Sequence, residues 1–366
     1  MRPIRVAIIG LGNCASSLVQ GIAQYRSAPS DAGLIQEIIG EYSPGDIEIA
    51  LGIDVDRRKV GLDVAEAIFA APNNTARFNS DLALTGAPVI MGRILDGVAD
   101  HMQDEGDRGF LLSDAPEGTE QSITKALRDA QVDVLVNFLP VGSQEASEFY
   151  MTCALEAGVA VVNSIPVFIA SDPQWEARFR QRGLAIVGDD IKAQIGATIV
   201  HRMLSQLFAV RGVSVDHTYQ LNTGGNTDFM NMMDRGRINS KKDSKTKAVQ
   251  SALYVKLDDT DIVIGPSEYV PWQKDNKVCF LRMEGQQFGG VGMNLEMRLS
   301  VEDSPNAAAC VVDAIRYCKL AMERGESGAL AAPSAYYCKH PPLQMPEEQA
   351  EKLLASQYGA FSCAAE

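Results

Sequence analysis

Residues 5–16 read Arg5-Val6-Ala7-Ile8-Ile9-Gly10-Leu11-Gly12-Asn13-Cys14-Ala15-Ser16, an apolar, β-branched run that breaks at glycine and then takes up helical spacing. The order of strand, tight turn and helix is that of a dinucleotide-binding unit. Gly10 permits the turn, and Gly12 lets backbone N–H groups approach a pyrophosphate. Ala15 stands at the third small position, so that helix and strand pack closely. The helix would aim its positive N-terminal end at the phosphates. Gly10, Gly12, Asn13, Cys14 and Ala15 are therefore candidate cofactor contacts.

A second strand, residues 47–53, ends at Asp54, where such folds place an acid that bonds the adenosine ribose hydroxyls. An acid there favours NAD over NADP. Asp54 lies well beyond the roughly 20 residues usual after the glycines, and the excess falls in the Pro-, Ser- and Gly-containing stretch 28–45, read as an insertion. Asp56 is the alternative acid.

Composition limits what such a unit can belong to. A chain of 366 residues, 46% of them hydrophobic, can build two or three lobes around a large core. No apolar run approaches the roughly 18 residues needed to cross a bilayer, so neither signal peptide nor membrane helix is expected, and a cytoplasmic location follows. Seven scattered cysteines without C-x-x-C spacing suit a reducing compartment. The four histidines lack metal-ligand spacing, which leaves only a carboxylate- or ligand-bound cation to consider. A net charge of −14 argues against nucleic-acid and anionic-membrane partners.

Strand and helix patterns alternate through the first half, with residues 132–138 and 159–163 reading as buried parallel strands. Pro140-Val141-Gly142-Ser143, Pro166 and Gly188-Asp189-Asp190 stand at strand ends, where open α/β sheets bind ligands. Long loops are expected over residues 72–121. The pattern changes beyond about residue 198: a helix from Ala197 to Phe208 leads into strands over 213–222, 278–284 and 294–301, and a helix follows over 305–324. The predicted architecture is α/β, a Rossmann-like doubly wound parallel sheet (1–198) with a second α+β catalytic and oligomerisation domain (199–303). A C-terminal segment (304–366) returns to the first.

Seven of the thirteen lysines fall between Lys241 and Lys277, and Lys241, Lys242, Lys245 and Lys247 share one segment with a single acid, Asp243. Such a run reads as a solvated helix face or as a pocket. In a partly desolvated pocket, crowded ammonium groups depress one another's pKa, so that one serves as a base while its neighbours stay charged.

Six segments occur together in one order: Gly10 to Ser17, Leu139-Pro140-Val141-Gly142-Ser143, Gly188-Asp189-Asp190-Ile191-Lys192, Asn222-Thr223-Gly224-Gly225-Asn226-Thr227-Asp228, Ser240-Lys241-Lys242-Asp243-Ser244-Lys245 and Glu302-Asp303-Ser304-Pro305-Asn306. In these the chain resembles the myo-inositol-1-phosphate synthases of the shorter prokaryotic type, along almost its whole length. The resemblance implies a redox-neutral conversion of glucose 6-phosphate to an inositol monophosphate, the first step of inositol and inositol phospholipid biosynthesis. NAD is reduced and reoxidised within one turnover. Oxidation at C5 acidifies the C6 hydrogens, and loss of a C6 proton gives an enolate that closes the ring on the C1 aldehyde. Hydride return to C5 completes the product.

Carried over by position, the resemblance places catalytic groups at Lys241, Lys245, Lys277, Lys339, Asp190 and Asp303. Lys241 would move the C5 hydroxyl proton, Lys245 and Lys277 would hold charge on C1, C5 or phosphate oxygens, and Lys339 would act at the ring-closing end. Asn222, Asn226 and Asp228 become substrate contacts, although G-G-N-T-D is also good turn chemistry. Phe138, Pro140, Asp189, Asp190 and, in the patchily matching region, Ala115 join the cofactor contacts. A homotetramer, a substrate loop that orders on binding and a divalent or monovalent cation are further implications. Ala193 departs from the serine that the family often carries after the lysine of its G-D-D-x-K motif. The alternatives are an NAD-dependent sugar or amino-acid dehydrogenase that releases NADH, or a non-catalytic NAD or sugar-phosphate sensor.

Overall fold

A computed structural model describes residues 2–28, 33–253 and 255–359, while the side chains at 235, 238–243, 266 and 267 lie outside the description. The opening apolar run forms β1 (Ile4–Ile9), followed by β2 (Ile47–Asp54), β3 (Val89–Met91), β4 (Val134–Asn137), β5 (Ala160–Asn163) and β6 (Ala185–Val187). With β11 (Gly328–Ala329) they pair in parallel, in the order β11-β6-β5-β4-β1-β2-β3. Strands covered on both faces by helices must be apolar throughout. Val134, Leu135 and Val136 are accordingly without exposed surface, each contributing about 2 kcal/mol through burial.

The strand order reverses between β1 and β4. At such a switch point the loops leaving neighbouring strands diverge and open a crevice at the carboxyl edge of the sheet. The helix Asn13–Ser27 leaves that edge, and the long helix Asp303–Glu323 packs against it and against β4, β5 and β6. The C-terminal part of the chain thereby covers the sheet that the N-terminal part begins.

Residues 28–45 have a clear place where they are described. Arg316, fully buried, pairs with Asp313 and donates to the backbone oxygens of Gln36, Glu37 and Tyr42. The inserted segment is thus pinned to the long helix, which explains how the fold accommodates the long stretch between the glycines and Asp54.

The second sheet has the order β10-β9-β7-β8, formed by β7 (His217–Gly224), β8 (Ile262–Tyr269), β9 (Asn276–Gln287) and β10 (Val291–Glu302). β9 is antiparallel to β7 and β10, while β7 and β8 are parallel. Helix Ala197–Val210 packs Ala197 and Phe208 against Cys279, Leu281 and Met283 of β9. β8 is absent from the sequence expectation, because Gly265-Pro266 interrupts its apolar pattern. None of the described helices is long and apolar enough to cross a membrane.

Candidate active site

One cavity opens at the carboxyl edge of the parallel sheet, between the two sheets. One side of it is built by the glycine turn. Gly10 has φ +81°, and a Cβ there would stand 2.7 Å from the Phe138 carbonyl oxygen, so the turn and the β4 loop touch backbone to backbone. Gly12 differs: a Cβ would meet nothing within 4 Å, which leaves space for a ligand to approach the backbone. Gly12 is also the N-cap of helix Asn13–Ser27, whose first turn has no side-chain cap and no acid. Its positive end stays available for an anion.

Asp54 closes β2 and lines the same cavity. Its Oδ2 accepts the Leu11 N–H at 2.7 Å, and its Oδ1 accepts the N–H groups of Val55 and Asp56. Lys59, a residue that local sequence signals do not single out, lies buried beneath the turn. Its Nζ donates to the Leu11 carbonyl at 2.9 Å and stands 3.9 Å from Asp54. Burial lowers the Lys59 pKa, while Asp54 and Asp56 oppose the shift. Asp56, the alternative acid, instead forms a two-point pair with Arg58 and accepts the Leu111 N–H, so it braces the loop. Taken together, a bare glycine, an uncapped helix end and a strand-end carboxylate fit a dinucleotide.

Phe138, Pro140, Asn13 and Cys14 line the cavity, whereas Ala15 is buried in the core, as close helix packing requires. Burial pushes the Cys14 thiol up to about 12, and Asp275 and Asp303 add to the shift, so the thiol is neutral. Two expected contacts are not brought to the cavity. Ala115 sits on a loop away from it, its N–H bonded to Ser113. Asp189 points the other way: it accepts hydrogen bonds from Asn163, from the backbone of Ile169 and Ala170, and from Ser171. Burial pushes its carboxyl up to about 6 against those donors. Asp189 shapes the 165–171 loop and does not line the cavity.

Its neighbour Asp190 faces the cavity because its backbone takes φ +61°, a conformation that costs a non-glycine residue about 1 kcal/mol. Backbone bonds to Ile165 and Lys339 hold it there. Its Oδ1 lies 2.7 Å from Lys339 Nζ, and its Oδ2 accepts the Ser244 hydroxyl at 2.7 Å. Across the cavity, Lys277 Nζ is 3.1 Å from Asp303 Oδ1. Burial alone would lower the Lys277 pKa, but the charge and hydrogen bond of Asp303, helped by Asp228, raise it on balance. Lys277 is therefore held cationic by Asp303.

Lys245, buried on helix Asn239–Gln250, lines the same space together with Asn226 and Asp228. Lys241 falls on that helix one turn earlier, but its side chain is outside the described residues. Asn226 serves two ends: its Oδ1 accepts the Phe229 N–H as a helix cap, and its Nδ2 donates to Asp275 at 2.9 Å. Asn226 thus takes the turn role that G-G-N-T-D predicts and also lines the cavity. Asn222 stands behind the cavity wall, buried, its Nδ2 without a hydrogen-bond partner. Gln220, two residues earlier on β7, does line the cavity and has an unpartnered Oε1. An orphaned buried polar atom costs about 1–3 kcal/mol, and of the two residues only Gln220 stands where a polar ligand in the cavity would reach it. Among the described residues, no group of three or more His, Cys, Asp or Glu side chains is gathered to hold a metal.

The C-terminal helix Glu347–Tyr358 contributes what local sequence left unread. Glu347 accepts from Lys192 Nζ at 3.0 Å and pairs with Arg202 at 2.8 Å, both cations being buried and Lys192 lining the cavity. Glu347→Gln strands both charges, and a loss of about 3 kcal/mol is expected, read as a lower urea midpoint.

The family model for myo-inositol-1-phosphate synthase matches residues 196–304. The chain is 49% identical over 354 residues to the inositol-3-phosphate synthase of Mycolicibacterium smegmatis, covering 95% of each chain. It is 49% identical over 359 residues to that of Corynebacterium glutamicum, covering 96% of this chain and 97% of the relative. In structure it is similar to a myo-inositol-1-phosphate synthase-related protein from Thermotoga maritima, with a TM-score of 0.83 at 26% identity, covering 98% of this chain and 99% of that one.

Proposed function

The chain belongs to the myo-inositol-1-phosphate synthase family, and on that premise we propose that it converts D-glucose 6-phosphate to 1D-myo-inositol 3-phosphate without net oxidation. The activity is that of an isomerase. The observation that carries the reading is the meeting, in one cavity beside the glycine turn, of three lysines and two carboxylates: Lys245, Lys277, Lys339, Asp190 and Asp303. A simple dehydrogenase needs one proton acceptor; ring closure also needs cations at oxygens that become negative in successive steps.

NAD, when bound, would supply the hydride acceptor for C5 and the donor that restores it. Gly12 and the uncapped helix end would receive its pyrophosphate, Asp54 its ribose hydroxyls, and Phe138 and Pro140 would line the crevice alongside. Lys277, kept cationic by Asp303, would stabilise an oxyanion as the C6 proton leaves or as C1 is attacked. Asp190 orients the Lys339 ammonium, which would donate to the oxygen formed on ring closure. Lys245 would hold charge on a substrate oxygen or on the phosphate. Lys241 keeps the role that the family resemblance implies, moving the C5 hydroxyl proton. Asn226 and Asp228, which line the cavity, would bind sugar hydroxyls, and Asn222 would support them from behind its wall.

A homotetramer joined through the second sheet is part of this proposal. Supporting it, the face of that sheet turned away from helix Ala197–Val210 carries Leu221, Val263 and Phe280, each between 42% and 46% exposed.

The test is to incubate the chain with glucose 6-phosphate and NAD, following the sugar phosphates by phosphorus NMR and NADH by absorbance. Inositol phosphate without net NADH is expected. NADH accumulating in step with substrate loss would make the chain a dehydrogenase, and silence of both signals across a screen of divalent and monovalent cations would exclude either enzyme.

A further inference from the structure

Asp275 stands immediately before β9, only 1% exposed, and no local motif marks it. Five hydrogen bonds converge on its carboxylate. From the cofactor side, Asn13 Nδ2 reaches Oδ1 at 3.0 Å and the Thr75 hydroxyl reaches Oδ2 at 2.6 Å. From the other side, Asn226 Nδ2 and the Ser304 hydroxyl both reach Oδ1 at 2.9 Å, and the Ser304 N–H reaches Oδ2 at 3.1 Å.

These donors belong to the parts that the two ligands would touch. Asn13 is the first residue of the helix that follows the glycine turn, and Asn74, bonded to it, also donates to the Gly225 carbonyl. Asn226 caps the short helix that carries Asp228, and Ser304 follows Asp303. The backbone carbonyl of Asp275 itself accepts the Asp303 N–H at 3.0 Å. A carboxylate oxygen offers about two lone-pair directions, yet Oδ1 serves three donors from three separate segments. Displacing one donor therefore re-aims the other two.

We infer that Asp275 is a positioning residue that couples the two halves of the site, so that occupation of the dinucleotide crevice aligns the groups that hold the sugar phosphate, and the reverse. The inference rests on the function proposed above. It assigns Asp275 no contact with either ligand, since the residue lies behind the cavity lining. Coupling of this kind is reciprocal: each ligand must tighten the other by the same factor.

The test uses the full chain with D-glucitol 6-phosphate, a sugar phosphate without the C1 aldehyde that ring closure requires. Its affinity is measured by calorimetry with and without saturating NAD. In the natural chain NAD is expected to tighten it about tenfold, within the usual range for coupled sites. Asp275→Asn replaces one acceptor oxygen by an amide that confronts the donors, and the factor should fall below about twofold while NAD alone still binds. Thr75→Val, which removes the contact to Oδ2 from the cofactor side together with the 3.3 Å contact between the Thr75 and Ser17 hydroxyls, should give an intermediate factor and keeps the test decisive should Asp275→Asn fail to fold. Undiminished coupling in the variants, or independent binding of both ligands to the natural chain, overturns the inference and leaves the proposed function standing. A natural chain that binds neither ligand overturns both.

Discussion

Lys277→Met is expected to lower kcat by about a thousandfold, the usual effect of removing one preorganised charge from a developing oxyanion. The affinity for NAD should change little, because Lys277 lies on β9 and has no part in the glycine turn. Lys277 Nζ sits 3.1 Å from Asp303, both side chains being mostly buried, and the carboxylate keeps it charged. A fixed cation of this kind stabilises a negative oxygen without reorganising at the moment of reaction. The measurement is steady-state kinetics of inositol phosphate formation together with an NAD titration of the same variant. A rise in KM with kcat unchanged would mean that Lys277 only binds the ground state and would remove its role at the oxyanion.

The second large effect separates two glycines that look alike in sequence. Gly12→Ala should fold with the stability of the natural chain, since a Cβ there meets nothing within 4 Å and its φ of −80° suits alanine. The added methyl occupies the space through which a pyrophosphate would reach the backbone, and NAD affinity should fall by about a hundredfold, close to 3 kcal/mol. Gly10→Ala acts differently. Its Cβ would stand 2.7 Å from the Phe138 carbonyl, at a φ of +81° that alanine resists, and about 3 kcal/mol of fold stability should be lost. Thermal melts beside NAD titrations check both. Unchanged NAD binding in Gly12→Ala would remove the dinucleotide from the crevice.

Much of this was legible from residues alone, and the reason is locality. A β-branched run ending in glycine and passing into helical spacing encodes strand, turn and helix within a dozen positions, because φ/ψ preference and apolar period act over that range. The same holds for Asp54 at the end of β2 and for helix Ala197–Val210. Where a local rule is broken, legibility fails: β8 is interrupted by Gly265-Pro266 and has no clean strand pattern, although its pairing with β7 is firm.

The site divides along the same line. Asp189 and Asp190 are adjacent and chemically identical, yet one holds a loop and the other meets Lys339, and the choice rests on a left-handed backbone at Asp190 secured by bonds to Ile165 and Lys339. Asp275 and Glu347 carry no motif because their partners come from distant stretches of chain, Asn13 and Ser304 for one, Lys192 and Arg202 for the other. Sequence by itself therefore determined the strand–glycine turn–helix, the alternating α/β order and the residue types available for chemistry, all of which depend on near neighbours. Only the tertiary structure decided which of those residues face one another, because the direction of a side chain and the company of a buried charge are set by packing between segments far apart in the chain.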